Sequence, residues 1–202
     1  SHTKPVRNLT PYEFWGVVLS GGIWCLYNVA FILPLIFGPE FLTSRGTGLA
    51  AAGAIVSLTS WFIIPALPLG AWFAERIGRP VTILVVSFVA PAIILWLIPI
   101  TSSHVVMFAI LGLAFGPAGG LIMALPTKVL REENRAVGIG IFYTVYYAGM
   151  GIFPAIAGYI RDTSGNPAAP LWFAGTILIV AMLALLGFTI FVRRNQASEL
   201  AQ

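Results

Sequence analysis

Six stretches of this chain are each long and apolar enough to cross a membrane, and that constrains the fold more than any other feature. They cover residues 15–37, 49–74, 81–98, 105–125, 136–160 and 171–192. A hydrocarbon core about 30 Å thick is crossed by roughly 20 helical residues rising 1.5 Å each. Lipid offers no hydrogen bonds, so each stretch must satisfy its own backbone, which predicts helices. The runs lack the short alternating strands of a membrane barrel. Only 9% of residues are charged, against about a quarter in soluble domains. The expected class is an all-α, polytopic membrane protein.

The few charges fall outside the cores of these spans. Placing the N-terminus on one side assigns the loops in alternation. That side receives Lys4, Arg7, Arg76, Arg79, Lys128, Arg131, Arg135, Arg193 and Arg194, and the other only Arg45 and Arg161. An excess of Lys and Arg marks cytoplasmic loops, so both termini are expected in the cytoplasm. The net charge of +4 belongs to this topology and is not a nucleic-acid footprint. The chain divides into three regions: a cytoplasmic N-terminal segment (1–14), a six-helix transmembrane domain (15–192) and a cytoplasmic tail (193–202). The chain starts at Ser1 without a methionine, which is expected of a cut into a longer chain or an expression remnant.

Several chemistries lack their residues. Cys25 is the sole cysteine, so no disulfide or thiolate metal site can form within one chain. The histidines, His2 and His104, do not have ligand spacing, and no metal site is expected. No Walker sequence or Gly-rich phosphate loop is present, and no Ser, His and acid converge within the membrane. No enzyme activity and no cofactor are expected.

Uncharged polar residues gather on particular spans. The fifth places Gly140, Tyr143, Thr144, Tyr147, Gly151 and Pro154 on one stripe at helical spacing. Tyr146 points off that stripe. The first span places Gly21, Trp24, Cys25 and Asn28 likewise, and the second offers Gly53, Ser57 and Ser60. The third and sixth are mostly aliphatic and are expected to face lipid. Trp24, Asn28, Ser57, Trp61, Tyr143, Thr144 and Tyr147 are therefore the candidate lining of a substrate cavity. Asn28 would lose both its donor and its acceptor partners in hydrocarbon, so it serves either a substrate or an interhelical hydrogen bond. Gly112, Gly116, Gly119 and Gly120 on the fourth span are expected to permit close helix packing. Pro117, Pro126 and Pro154 are candidate kinks.

Charge concentrates at residues 70–81, GAWFAERIGRPV. Gly78 suits a left-handed helix end and Pro80 the first turn of the next helix. Arg76 and Arg79 can reach the cytoplasmic headgroups. Glu75 fits none of this: an acid at a helix C-terminus opposes the dipole. It requires a partner, either a nearby Arg or a helix N-terminus elsewhere. The fifth span ends similarly, YIRDTSGNP, on the opposite side. Matching ends on spans that cross in opposite directions point to two inverted three-helix repeats.

Ala74-Glu75-Arg76-Ile77-Gly78-Arg79 resembles the cytoplasmic loop signature of the major facilitator superfamily, G-x-L-[AG]-D-R-x-G-R-[KR]. Here Ala71 occupies the first position, with Gly70 one place earlier, Glu75 replaces Asp, and Pro80 replaces the last basic residue. EENRAVGIG and GMGIFPAIAGYIRDTSG are similar to the start and body of the family's eleventh helix, and GGIWCLYNVAF to its seventh. The resemblance covers essentially the whole chain. It implies the C-terminal six-helix half of a secondary transporter in a bacterial inner membrane, moving a small organic solute by alternating access. It also implies an N-terminal six-helix half in the same parent chain. In that family helices seven, eight, ten and eleven line the cavity, while nine and twelve lie outside. Ala71, Glu75, Arg76, Gly78 and Arg79 would then belong to a cytoplasmic latch against the other half. The alternatives are a non-transport sensor or assembly subunit on the same half-fold, and a half-transporter that dimerises.

Overall fold

The computed structural model describes residues 8–200, with side chains except at 71, 74 and 196–200. Residues 1–7, with His2, Lys4 and Arg7, and the end of the tail lie outside the described residues. All six spans are helical, and among the described residues no strand occurs. The helices are α1 (Pro11–Ser44), α2 (Leu49–Ile77), α3 (Pro80–Leu97), α4 (His104–Phe115), α5 (Gly119–Met123), α6 (Arg135–Ser164) and α7 (Ala169–Leu200). Most outrun the apolar stretches that define them. Thr10 accepts from the Glu13 N–H while Glu13 reaches back to the Thr10 N–H, a capping box that starts α1 four residues ahead of Trp15.

The fourth span departs from a single helix. It runs from His104 to Lys128 as α4, a 3-10 turn at Gly116–Ala118, α5, and a second 3-10 turn at Pro126–Lys128. Pro117 has no N–H to continue the ladder, so the helix tightens there. Pro154, by contrast, is absorbed within α6 without interrupting it.

The packing has an exchange pattern. α1 packs on α6 and α7, α4 packs on α2 and α3, and α3 meets α7. Exchanging the first three spans with the last three preserves this scheme, as inverted repeats require. The loop geometry agrees. Gly78 and Gly165 both take left-handed φ, +66° and +63°, at the ends of α2 and α6. Pro80 then opens α3.

Small residues set the helix separations. A Cβ on Gly70 would lie 1.9 Å from the Pro117 carbonyl oxygen, and one on Gly112 would lie 2.3 Å from that of Thr59. Gly116 meets Ala66 as closely. α2 and the fourth span are thus in backbone contact. Beyond the turn at Pro117 the approach loosens: Gly119 meets only the Leu67 side chain of α2, at 3.5 Å, and Gly120 faces open space.

Candidate functional site

The core of the six-helix bundle is α1, whose apolar window is the most enclosed of the six, while those of α2 and α6 are the most open. On α6 the buried positions are Gly138, Phe142, Gly149 and Ala157. The predicted stripe lies on the other side: Gly140, Thr144, Tyr147 and Gly151 are exposed, and Tyr143 and Pro154 half-buried. On α2, Gly53, Ser57 and Trp61 are exposed, while Ala52, Val56 and Thr59 face the core.

Two close approaches bring α1 against α6. A Cβ on Gly21 would stand 3.0 Å from the Phe142 carbonyl oxygen, and one on Gly149 would stand 2.1 Å from Cys25 Sγ. Side chains beside these contacts are pressed together. Tyr143 stacks on Tyr147 with centroids 6.1 Å apart and an interplanar angle of 27°. Tyr146 lies 4.7 Å from Tyr147 and 6.2 Å from Trp24. Trp24 stacks in turn on Tyr27 at 6.3 Å. The aromatic patch also takes in Tyr146, which lies off that stripe. Rings are broad enough to bridge to Trp24 from the shoulder of the helix.

Tyr27 anchors this patch to the fourth span, and sequence reasoning missed it. The 3-10 turn directs the Gly119 N–H to the Gly116 carbonyl, which leaves the Phe115 carbonyl free. The buried Tyr27 hydroxyl donates to that oxygen. A tyrosine enclosed in an apolar span needs such a partner, so its position alone was the available signal.

Asn28 makes no interhelical hydrogen bond among the described residues. Its Nδ2 donates to the Trp24 carbonyl one turn back, at 2.8 Å, and its Oδ1 has no hydrogen-bond partner among the described residues. Thr144 and Ser57 are bonded locally too, to the Gly140 and Ala54 carbonyls at 2.9 and 2.7 Å. Ser57 and Trp61 are not brought to the aromatic patch. They stand on α2, which packs against the fourth span and shares no substantial interface with α6.

At the two ends of the bundle the charges behave differently. At the end shared by the α1–α2, α3–α4 and α6–α7 connections they are paired. Arg161 bonds Glu40 across the α1–α6 contact and Asp162 beside it, and Arg45 donates to the Pro99 carbonyl at 2.9 Å. At the other end, Glu75 and Arg79 form no ion pair among the described residues, and both are exposed. Arg76 lies over the Trp72 ring at 5.1 Å. The nearby-Arg partner expected for Glu75 is thus not what the chain provides. Ala71 is helical, but its side chain lies outside the described residues. Glu13 and Asn134, also missed, are buried at this end. The Glu13 carboxylate accepts from the Arg131 N–H at 3.0 Å and from Asn134 Nδ2 at 3.0–3.1 Å.

A family model for the Major Facilitator Superfamily matches residues 19–201. The chain belongs to the major facilitator superfamily. It is 28% identical over 190 residues to an uncharacterized MFS-type transporter of Methanocaldococcus jannaschii, covering 90% of this chain and 46% of that protein. Two proteins of Agrobacterium vitis, each named "Putative tartrate transporter", are 26% and 23% identical over 155 and 154 residues, in each case 75% of this chain. Those matches cover 34% and 36% of the two proteins, so the chain spans less than half the length of the relatives it matches. As a superfamily member with six spanning helices it is a multi-pass integral membrane protein of a family that carries small solutes.

Proposed function

We propose that this chain is the C-terminal half of a secondary transporter that moves a small organic acid by alternating access, and that it catalyses no chemical step. The observation that carries this is the open patch of Trp24, Asn28, Tyr143, Tyr146 and Tyr147, built where α1 and α6 touch. Phenol hydroxyls and a free amide oxygen can bond carboxylate and hydroxyl groups of a solute, while the rings exclude water. The names of the two Agrobacterium vitis relatives favour a hydroxy-carboxylate. Every charge among the described residues lies toward a helix end, so a cation that balances the solute would come from the N-terminal half. That half would close the cavity against α2 and α6, with Ser57, Trp61 and Thr144 on the facing wall. Both termini would be cytoplasmic, in a bacterial inner membrane, with residues 1–14 and 193–202 flanking the six-helix domain.

The test is uptake of radiolabelled tartrate and related dicarboxylates by the full-length protein in liposomes under imposed ion gradients. Saturable uptake that falls about tenfold or more in Tyr143→Phe/Tyr147→Phe is the expected result. Uptake of no solute under any gradient would overturn the transport reading.

A further inference from the structure

A cleft of about 520 Å³ opens on the side of the bundle away from the aromatic patch, between α3, α5 and α7. Its floor is apolar: buried Leu84, Leu185 and Phe188 lie beneath it, and Val81, Leu121 and Ala124 present its accessible surface. Its rim is not. Lys128 lies just beyond α5 and Arg193 ends the apolar part of α7, and both line the opening. Both are exposed, and neither pairs with an acid among the described residues. Pro80 and Val81, the first residues of α3, complete the rim. The residue before them, Arg79, gives that helix no side-chain cap. Its first-turn N–H groups therefore add a third source of positive potential.

The arrangement has a direction. The cations lie at the end of the spans that carries the Lys and Arg excess, and the apolar floor runs from them into the membrane. Water gains nothing from such a floor, and a soluble anion leaves it uncovered. An amphiphile satisfies both parts. We propose that this cleft binds an anionic phospholipid of the cytoplasmic leaflet, with its phosphate between Lys128, Arg193 and the start of α3 and an acyl chain over Val81, Leu121 and Ala124. A zwitterionic lipid would fill the floor equally but would bring its own cation to a rim that already holds two. The bound lipid bridges α3, the fourth span and α7, so it acts as a wedge on the outer face of the bundle.

The test is lipid titration of the delipidated full-length protein, followed by native mass spectrometry, with phosphatidylglycerol and phosphatidylcholine of identical chains. Phosphatidylglycerol should be retained on the order of tenfold more tightly, as two interfacial cations imply. Lys128→Gln/Arg193→Gln should bring the two lipids to near equality. Leu121→Trp, which fills the floor and leaves the rim intact, should weaken both lipids together. Equal retention of the two lipids by the unaltered protein would overturn the proposal, and that arm needs no variant to fold. A preference that survives the double substitution would overturn it as well.

Discussion

Glu13 is a carboxylate with 1% of its surface exposed, and it is held by donors from three residues. Burying a charge is costly unless its hydrogen bonds are made, and here Thr10, Arg131 and Asn134 make them. The result ties the start of α1 to the connection before α6, 118 residues away along the chain. Glu13→Ala leaves the buried Asn134 amide and the part-buried Arg131 N–H without an acceptor. It should cost about 2–4 kcal/mol, read as a lowered unfolding temperature in detergent, while Glu13→Gln, which keeps one acceptor oxygen, should cost less. An unchanged melting curve for the alanine variant would show that the cluster carries no stability. Half of this cluster was legible in sequence. Thr10-x-x-Glu13 spells a capping box, whereas Asn134 and Arg131 have no local pattern linking them to it. Asn28 illustrates the reverse. Its residue type announced an unmet need within lipid, but only the folded helix shows that one N–H is spent on Trp24 while Oδ1 stays free.

Spans, turns and caps could be read from the chain, because the membrane imposes length and backbone satisfaction on every segment alike. The left-handed Gly78 and Gly165, and Pro80 at the first position of α3, were legible for the same local reason. The partner of each helix was not. Both lipid-facing and core-facing sides of a span are apolar, so no polar face distinguishes them. The signal that remains is small residues, and it is incomplete. Of the four glycines on the fourth span, Gly112 and Gly116 face backbone or Cβ atoms of α2, and Gly120 faces open space. The physical difference lies past the turn at Pro117, where Gly119 meets only the Leu67 side chain of α2, at 3.5 Å, and Gly120 meets nothing. Gly116→Leu should therefore separate α2 from the fourth span and cost at least about 2–3 kcal/mol. Gly120→Ala should be neutral or should stabilise by up to about 1 kcal/mol, as a glycine replaced inside a helix does. Thermal unfolding of the two variants side by side checks both, and equal behaviour would mean that the contact at Gly116 is not structural.

At the scale of the whole six-helix bundle, the inverted repeat places equivalent acid–base pairs at opposite ends and treats them differently. Arg161 and Asp162 are joined to Glu40 within the bundle, so that end is closed by its own charges. Among the described residues Glu75 and Arg79 form no ion pair, and Arg76 rests on Trp72. A carboxylate at a helix C-terminus with no partner is unfavourable unless it meets one in another part of the protein. That asymmetry is the physical basis for proposing Ala71, Glu75, Arg76, Gly78 and Arg79 as a latch toward an N-terminal half. Two outcomes separate a latch from a structural charge. Glu75→Ala should leave the unfolding temperature of the full-length protein nearly unchanged, since no ion pair or side-chain hydrogen bond among the described residues is lost. Uptake should change on the order of tenfold, because a latch acts by biasing one of two global states by a coupling of about 1–3 kcal/mol. Arg161→Ala should show the opposite pattern, with stability reduced and the balance of states little affected. If Glu75→Ala transported at the unaltered rate, the loop would be an anchor for topology and nothing more.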